Sequence, residues 1–235
     1  MTHRFYTGNT KDKSGLLDLG HDIWINDQPL ANQILKVLRM RAGEELVLFD
    51  GQGTEILYRI TEIEPNALRL SKVTDLDPGD PKRKIILAWS LLKKDKNEWV
   101  LQKCTELGVS HFLPIISDRT EKTGFDIERA EKIIIEAVEQ CGRHTLPLLN
   151  EPQKISDVIG QYKDHMPICV TDMTGEQFND NGEGELLVLV GPEGGWSDNE
   201  RALFASENIP HASISAFTLR AETASISAVS LFVGK

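Results

Sequence analysis

The chain has 235 residues, 40% of them apolar and 26% charged, which is the composition of a folded globular protein and excludes disordered and collagen-like classes. Its net charge of −10 argues against a protein that simply coats nucleic acid, so any RNA binding has to depend on local basic clusters. The three cysteines form no CxxC pair, so we expect reduced thiols. The histidines show no HxH or HxxxH spacing, so we expect no metal site. No apolar stretch is long enough for a secretory signal or a membrane span, so we expect a cytoplasmic protein.

Residues 1–73 are predicted to form a small β-barrel with one helical cap. The stretch ELVLFDGQGTEILYRITEIEPNALRLSKV is typical of three strands joined by turns at residues 50–51 and 65–66. The preceding stretch, ANQILKVLRMRAGE, favours one or two helical turns that end at Gly43. Residues 74–84, TDLDPGDPKRK, are rich in Pro, Gly and Asp and form the expected linker.

Residues 85–235 alternate between predicted strands and helices. IILAWSLL and VSHFLPII predict buried strands, and KNEWVLQKCTELG between them predicts a helix that ends at Gly108. IERAEKIIIEAVEQCG predicts a second helix, and PICVT, LLVLV and HASIS predict further short strands. This alternation predicts an α/β domain with a parallel sheet.

A glycine loop, GPEGG, follows the predicted strand LLVLV. Ligands of open parallel sheets collect at the C-terminal ends of the strands, where this loop is expected to lie. Its glycines allow a ligand to approach bare backbone, and Pro192 stiffens the path. Ser197, with Glu200 three residues later, predicts a capping box at the start of the next helix.

The residues of this loop argue against a phosphate ligand. A Walker loop needs a lysine and a hydroxyl residue after its last glycine, and no cation stands between Lys163 and Arg201. Glu193 would repel a polyphosphate, whereas it would tolerate a cationic ligand without phosphates, and S-adenosylmethionine has both properties. A tight structural turn without a ligand remains the alternative.

A second stretch near the C-terminus, FTLRAETASISAVSLF, places Arg220, Glu222 and Thr223 before a run of small residues. Helices rich in Ala and Ser pack closely against other backbone. A C-terminal helix with an ion pair at its start is the structural alternative.

These stretches resemble a known family when they are taken together with the rest of the chain. HRFY, ILKVLRMRAGEELVLFDGQG, KNEWVLQKCTELGVSHFLPIISDRT, EAVEQCGRHTLP, VGPEGGWSDNE and LRAETA stand in the order found in the ribosomal RNA small subunit methyltransferase E family. Its members are 16S ribosomal RNA uridine-N3 methyltransferases of the SPOUT superfamily. The resemblance covers nearly the whole chain.

The resemblance implies a PUA-like β-barrel RNA-binding domain at residues 1–73 and a SPOUT methyltransferase domain, α/β with a deep trefoil knot, at residues 85–235. It also implies a homodimer, small-subunit ribosomal RNA as the partner, and S-adenosylmethionine as the cofactor. The implied cofactor-binding residues are Thr171, Asp172, Val190, Gly191, Pro192, Glu193, Gly194, Gly195, Ser215, Thr218, Leu219 and Arg220.

The chain departs from the family pattern at two places. Gln33 stands where many members have histidine. In SAFTLR, Ser215 takes the place of a glycine and Phe217 that of an arginine, which puts RNA or cofactor-loop contacts in question.

Methylation of uridine at N3 requires an unpaired base that is turned outward, because N3–H faces the pairing partner. Loss of the N3 proton spreads negative charge onto two carbonyl oxygens, and we expect Arg220 to stabilise it. Glu222 and Glu193 are the candidates for the general base, and bulk water remains a third possibility.

The residues expected to contact RNA are basic and lie in both predicted domains: Arg4, Arg39, Arg41, Lys93, Lys94, Lys96, Arg119 and Arg143. Four tryptophans offer faces on which a base can stack, at positions 24, 89, 99 and 196. For Trp89 and Trp99, however, packing in the core is the favoured interpretation.

Three functional hypotheses remain open at the level of sequence. The first is S-adenosylmethionine-dependent methylation of uridine N3 in small-subunit ribosomal RNA. The second is an RNA-binding or ribosome-assembly protein that keeps the fold with impaired catalysis, which Phe217 and the acidic charge favour. The third is a methyltransferase with another nucleotide or a ribose hydroxyl as its target.

Overall fold

The computed structural model describes residues 2–8, 11–12, 15–77, 79, 81, 83–93, 95–121, 124–176 and 183–234. The described strands are β1 (His3–Tyr6), β2 (Lys11–Asp12), β3 (Gly15–Leu16), β4 (Ile23–Ile25), β5 (Glu45–Phe49), β6 (Glu55–Glu64), β7 (Ala67–Asp75), β8 (Lys84–Ser90), β9 (Val109–Ile116), β10 (Leu148–Leu149), β11 (Gln153–Lys154), β12 (Ile168–Glu176), β13 (Glu185–Val190) and β14 (His211–Ala212). The helices are α1 (Gln28–Asn32), which continues as a π-helical segment (Gln33–Val37), α2 (Lys96–Glu106), α3 (Ile127–Cys141), α4 (Ile155–Tyr162), α5 (Asp198–Ser206) and α6 (Ala221–Phe232).

Contacts divide the chain into two compact units. The first comprises Met1–Gly79 with Val138–Leu146, and the second comprises Asp80–Ala137 with Pro147–Lys235. The break between Gly79 and Asp80 falls within the stretch predicted as a linker. The assignment of residues 138–146 to the first unit has no counterpart in the sequence prediction.

The first unit contains a five-stranded sheet in the order β1-β5-β6-β7-β4, in which only β1 and β5 run parallel. The three strands predicted within residues 45–73 are β5, β6 and β7, joined at both predicted turns. At the first turn, Asp50 Oδ1 accepts hydrogen bonds from two backbone N–H groups, at 2.7 and 3.0 Å. Apolar side chains from all five strands and from the helical segment meet in one core, as the predicted small barrel with a helical cap requires.

The second unit contains a parallel sheet in the order β10-β9-β8-β13-β12-β14, and β11 also pairs with β9. This confirms the predicted parallel α/β sheet. Gly108 and Gly142 have positive φ angles of 103° and 87° and end α2 and α3, because glycine alone adopts this backbone conformation without strain. Helix α4 lies within residues for which the sequence analysis made no prediction.

The strand order brings the C-terminal ends of β12, β13 and β14 to one edge of the sheet. Val170 of β12 pairs with Leu189 of β13, and Val190 pairs with Trp89 of β8. Because these strands are parallel, the loops that follow them emerge on the same side. The three stretches predicted to hold a cofactor therefore converge.

The predicted strand HASIS is shorter than expected, since only His211 and Ala212 pair with β12. A Cβ at Gly175 would lie 2.6 Å from the backbone carbon of His211, so the two backbones approach very closely there. The N–H of Ser213 donates one more backbone hydrogen bond, to the carbonyl oxygen of Glu176 at 3.0 Å. The chain then leaves the sheet edge to form the loop before α6.

The prediction that Trp99 packs in the core is wrong. Its side chain on α2 is 57% exposed, whereas Trp89 is fully buried, as predicted. Trp89 stacks edge to face on Phe112 with ring centroids 5.7 Å apart, and its Nε1 donates to Asn97 at 3.0 Å. Trp89 lies on the buried strand β8, whereas Trp99 lies on the helix α2, whose exposed side is set by how the helix packs.

The thiols are free and mostly buried, as expected. Cys104 and Cys169 are buried and Cys141 is half-buried. Burial raises the pKa of the Cys104 thiol well above its usual range, so this group stays protonated and inert. Within the described residues, no helix has the length and apolar character needed to cross a membrane.

Candidate cofactor pocket and active site

A cavity of about 640 Å³ lies at the C-terminal edge of the sheet in the second unit. Every residue predicted to bind the cofactor lines it: Thr171 and Asp172 of β12, Val190 with the loop from Gly191 to Gly195, and Ser215, Thr218, Leu219 and Arg220 before α6. This volume lies within the range of about 300–1,000 Å³ that is typical of small-molecule sites. The cavity thus brings together residues that are far apart in the sequence, while their binding role stays a prediction.

Trp196 packs against the glycine loop. Its indole is 3% exposed, and its Nε1 donates to the carbonyl oxygen of Thr171 at 3.3 Å. A Cβ at Gly191 would lie 3.0 Å from Trp196 Cε2, so a side chain at this position would push against the ring. Gly195, with φ of 67°, closes a turn in which its N–H donates to Pro192 at 2.9 Å.

The predicted capping box follows the loop and anchors it. Ser197 Oγ accepts from the N–H of Glu200 at 3.1 Å, and Glu200 Oε2 accepts from the N–H of Ser197 at 2.7 Å. The other oxygen of Glu200 accepts from the N–H of Asp118 at 2.9 Å. Because Glu200 is buried and fully used, the start of α5 is tied to the turn after β9.

Two arginines beside the cavity are already engaged within the chain. Arg119 donates to the carbonyl oxygen of Gly194 at 2.8 Å, and Arg201 donates to Asp172 at 2.5 Å. Each of these guanidinium groups thus already has an acceptor within the chain. The glycine loop therefore offers a ligand its backbone rather than free cations.

Asp172 is held ionised in the cavity wall. Burial raises the pKa of its carboxyl group, but hydrogen bonds from the N–H and Oγ1 of Thr174 and from Arg201 outweigh this effect. The net result is a pKa below the ordinary value of 3.8. Only 6% of the Asp172 side chain is exposed, so its charge serves mainly the pair with Arg201.

We expect an Asp172→Asn variant to lose stability in a pH-dependent way. A carboxylate with a lowered folded-state pKa stabilises the fold above its unfolded pKa, and this contribution disappears as the pH falls through the folded value. The difference in unfolding free energy between the two proteins should thus be full above about pH 4 and shrink below it. Urea unfolding at pH 7, 5, 4 and 3 measures this difference.

The exposed Asp157 on α4 supplies the control. Asp157→Asn should change the unfolding free energy by no more than about 0.5 kcal/mol at each pH. A loss in Asp172→Asn that is equally large at pH 3 and pH 7 would show that the charge is not the cause.

Glu193 does not stand alone in the glycine loop. Its Oε1 lies 3.3 Å from Nζ of Lys96, and Oε2 of Glu222 lies 3.4 Å from the same nitrogen. Desolvation lowers the pKa of Lys96, but the hydrogen bonds and charges of both glutamates raise it by more. The net pKa therefore lies above the ordinary value of 10.5. Lys96 is therefore a permanent cation between two carboxylates.

The two residues predicted to be catalytic have different surroundings. Arg220 is the N-cap residue of α6 and is exposed at the cavity wall. Among the residues that the structure describes, its side chain makes no hydrogen bond or ion pair. Glu222, in the first turn of α6, is 8% exposed, and its carboxylate faces Lys96 instead of contributing to the described cavity wall.

The basic residues predicted for the first unit fall into two groups. Arg39 and Arg41 are exposed, and Arg39 adopts a positive φ of 56°. Arg4 forms an ion pair with the buried Glu55 and donates to the carbonyl oxygen of Arg143 at 2.9 Å. Arg4 thus contributes to packing within this unit, and RNA contact by Arg39 and Arg41 stays a prediction.

The basic residues predicted for the second unit mostly have partners in the chain. Lys93 is exposed and pairs with Glu121, and Lys96 and Arg119 make the contacts given above. Lys94 lies outside the described residues. Contact of these side chains with RNA stays a prediction as well.

The cavity wall also contains residues that the sequence analysis did not assign to the cofactor. Met173, Arg201 and Ile214 flank the predicted positions, and Phe217 is 79% exposed at the wall. The i, i+3 spacing of Ala221 and Ala224 on α6 could have indicated a shared face. No pattern in the sequence indicates that Arg201 pairs with Asp172.

Two of the tryptophans considered for base stacking have other surroundings. Trp196 lines the cavity as a buried support, and Trp24 is half-buried in the first unit.

Comparison with known proteins places this architecture in a family. The family model described as the RNA methyltransferase domain matches residues 79–233, and the RNA methyltransferase PUA domain matches residues 31–73. A ribosomal RNA small subunit methyltransferase E from Rickettsia conorii is 27% identical over 234 residues, covering 97% of this chain and 93% of the relative. The protein of that name from Aquifex aeolicus is 29% identical and covers 84% of this chain and 89% of its own length.

A solved structure gives the same result. The ribosomal RNA small subunit methyltransferase E from Neisseria gonorrhoeae, bound to S-adenosyl methionine, is 26% identical with a TM-score of 0.85, covering 98% of this chain and 96% of the other. Fold, cavity and matched domains together define a class, the RNA methyltransferases with an N-terminal PUA-like domain. The chain belongs to the RNA methyltransferase domain family, within the group named ribosomal RNA small subunit methyltransferase E. The predicted family and fold class are confirmed.

Proposed function

We propose that this chain transfers the methyl group of S-adenosylmethionine to N3 of a uridine in small-subunit ribosomal RNA. The observation that carries the proposal is the cavity, whose wall contains every residue predicted to bind the cofactor. The Rickettsia and Aquifex relatives bear the name of a ribosomal RNA small subunit methyltransferase, and the Neisseria relative binds S-adenosyl methionine. The choice of uridine N3 depends on the family resemblance.

The residues present fit this cofactor. Residues 190–195, three of them glycines, line the cavity, and Arg119 and Arg201 are bound to acceptors in the chain. A ligand with phosphates would meet the carboxylate of Glu193 in the loop, and of the described cationic side chains of the wall it would find Arg220 alone without a partner in the chain. A phosphate-free cation meets no such obstacle.

S-adenosylmethionine supplies an electrophilic methyl group, and the chain supplies orientation and charge stabilisation. Arg220 is free to donate N–H groups to the uracil oxygens, on which negative charge develops as N3 loses its proton. Of the two candidate bases, only Glu193 belongs to the described cavity wall. We therefore assign removal of the N3 proton to Glu193 or to water beside it. Holding N3 in line with the methyl group further increases the rate of methyl transfer.

We also propose a cytoplasmic homodimer with the trefoil-knotted chain path of the family. Trp99 on α2 and Leu231 on α6 are 57% and 60% exposed, and these two helices contact each other. Burial of such apolar side chains by a second copy would remove them from water. Light scattering of the purified protein should give twice the mass of one chain, and a monomer mass would contradict the dimer.

The domain division is likewise proposed as 1–73 for the PUA-like RNA-binding domain, 74–84 for the linker and 85–235 for the methyltransferase domain. The matched PUA segment ends at residue 73, and the matched methyltransferase segment begins at residue 79. These boundaries support the proposed linker.

The proposed function predicts specific binding and a specific product. In calorimetry, the purified protein should bind S-adenosylmethionine, whereas ATP should give no measurable binding. Incubation with labelled S-adenosylmethionine and ribosomal subunits that lack the modification should yield N3-methyluridine, identified by mass spectrometry of the nucleosides. Bare ribosomal RNA as a parallel substrate tests whether the assembled subunit is required.

The alternative function, an RNA-binding protein with impaired catalysis, depends on Phe217. Its exposed ring stands at the cavity wall where the family pattern has an arginine. RNA binding without any labelled product would favour this alternative. A product methylated at another atom would instead support a methyltransferase with a different target.

A further inference from the structure

Lys96 joins two segments that are distant in the sequence. It is the first residue of α2, and its Nζ lies 3.3 Å from Glu193 in the glycine loop and 3.4 Å from Glu222 in the first turn of α6. Glu193 lines the cavity, and Glu222 follows the exposed Arg220 by two residues. The ammonium therefore connects the loop on one wall with the helix start that carries Arg220.

The partial burial of this cluster strengthens the interaction between its charges. The Glu222 side chain is only 11% exposed, and those of Lys96 and Glu193 are 33% and 35% exposed. Partly shielded charges interact more strongly than pairs on an open surface. Without the ammonium, two carboxylates would face each other across the same space and repel, so Glu193 would turn away from its present position.

We propose that Lys96 is a positioning residue of the active site, which orients Glu193 and the start of α6 instead of contacting RNA. The inference deepens the proposed methyl transfer and rests on it. It replaces the RNA contact that the sequence suggested for Lys96, because both carboxylates already hold the ammonium.

The test compares Lys96→Met, which removes the charge, with Lys96→Arg, which keeps it. Lys96→Met should weaken S-adenosylmethionine binding and lower kcat, each by about tenfold, while KM for the ribosomal substrate changes by less than about twofold. Lys96→Arg should restore most of both values, because a guanidinium can also bridge two carboxylates. Calorimetry measures the binding, and the labelled-methyl assay gives kcat and KM.

A double-mutant cycle shows whether Lys96 acts through its two partners. In a Glu193→Gln/Glu222→Gln background, Lys96→Met should cause almost no additional loss, because the carboxylates that it holds are gone. Lys103 supplies a matched control, since it pairs with Glu106 at 2.9 Å on the same helix and away from the described cavity wall. Lys103→Met should leave binding and kcat unchanged.

Three outcomes would overturn the inference: full activity of Lys96→Met, an equal loss in both backgrounds, or a rise in KM for the ribosomal substrate alone. The last outcome would restore the RNA contact. The wild-type protein separates this inference from the proposed function. A wild type that neither binds S-adenosylmethionine nor methylates RNA refutes the function itself, whereas an active wild type with an unaffected Lys96→Met refutes only the role of Lys96.

Discussion

Replacement of Arg220 with alanine should lower kcat for methyl transfer by about 100- to 1,000-fold, the usual effect of removing a group that stabilises developing negative charge. The affinity for S-adenosylmethionine should change by less than about twofold, because the guanidinium is expected to interact with the charge of the transition state. Single-turnover assays with saturating cofactor measure the first quantity, and calorimetry measures the second.

The structure gives the physical basis for this separation. Arg220 caps α6 with an extended backbone (ψ of 151°), and its exposed side chain at the cavity wall has no partner among the described residues. An unengaged guanidinium can donate to a uracil carbonyl oxygen without first breaking an ion pair. The other arginines of the cavity region, Arg119 and Arg201, are held by Gly194 and Asp172 and lack this freedom.

Arg129 provides a control for the loss of a positive charge. It lies on α3, is paired with Glu98 at 3.1 Å and does not belong to the described cavity wall. Arg129→Ala should leave kcat unchanged. If Arg220→Ala instead weakens cofactor binding as much as it lowers kcat, Arg220 acts in binding and not in the chemical step.

Replacement of Trp196 with alanine should cost about 3–5 kcal/mol of unfolding free energy, as is usual for a large aromatic side chain in a core. Trp196 is 3% exposed and packs edge to face on Phe204 with ring centroids 5.1 Å apart. It also donates to Thr171, and its loss leaves that carbonyl without this donor and Gly191 without its support. Urea unfolding followed by circular dichroism measures the change.

Trp99→Ala is the matched control, because it deletes the same side chain from an exposed position. Trp99 is 57% exposed on α2 of the single chain, so in the dissociated chain its loss should change the unfolding free energy by about 0.5 kcal/mol or less. In the proposed homodimer, which would cover Trp99, a larger loss is expected. Equal losses in the two variants would show that Trp99 is covered by a surface beyond the single chain. Retention of cofactor affinity in a folded Trp196→Ala protein would show that the loop keeps its shape without the indole.

The elements of the fold were largely predictable because each one carries its pattern locally. Runs such as LLVLV are buried on both faces of a parallel strand, and Gly108 and Gly142 mark helix ends because they adopt positive φ angles. The strand predicted at residues 211–215 was too long. Its pairing with β12 ends at Ala212, where the backbone of Gly175 approaches closely, and no local pattern encodes this contact between distant segments.

The cavity wall was predictable for a different reason. Ligand sites of parallel sheets follow from topology, so the loops after β12, β13 and β14 could be assigned to one site before their positions were known. The partners of charged side chains were not predictable in this way. The sequence predicts RNA contact for Lys96 and cofactor binding or proton abstraction for Glu193, whereas the two side chains contact each other.

Spacing and residue type within short stretches are enough to predict the parallel α/β sheet, the preceding β unit and the capping box at Ser197. Three features arise only when the chain packs: Lys96 lies between Glu193 and Glu222, Arg201 pairs with Asp172, and Trp99 is exposed while Trp89 is buried. Those contacts join segments tens of residues apart. Their distances arise when helices and loops pack on the sheet, and the strength of a charge pair depends on the burial that this packing creates.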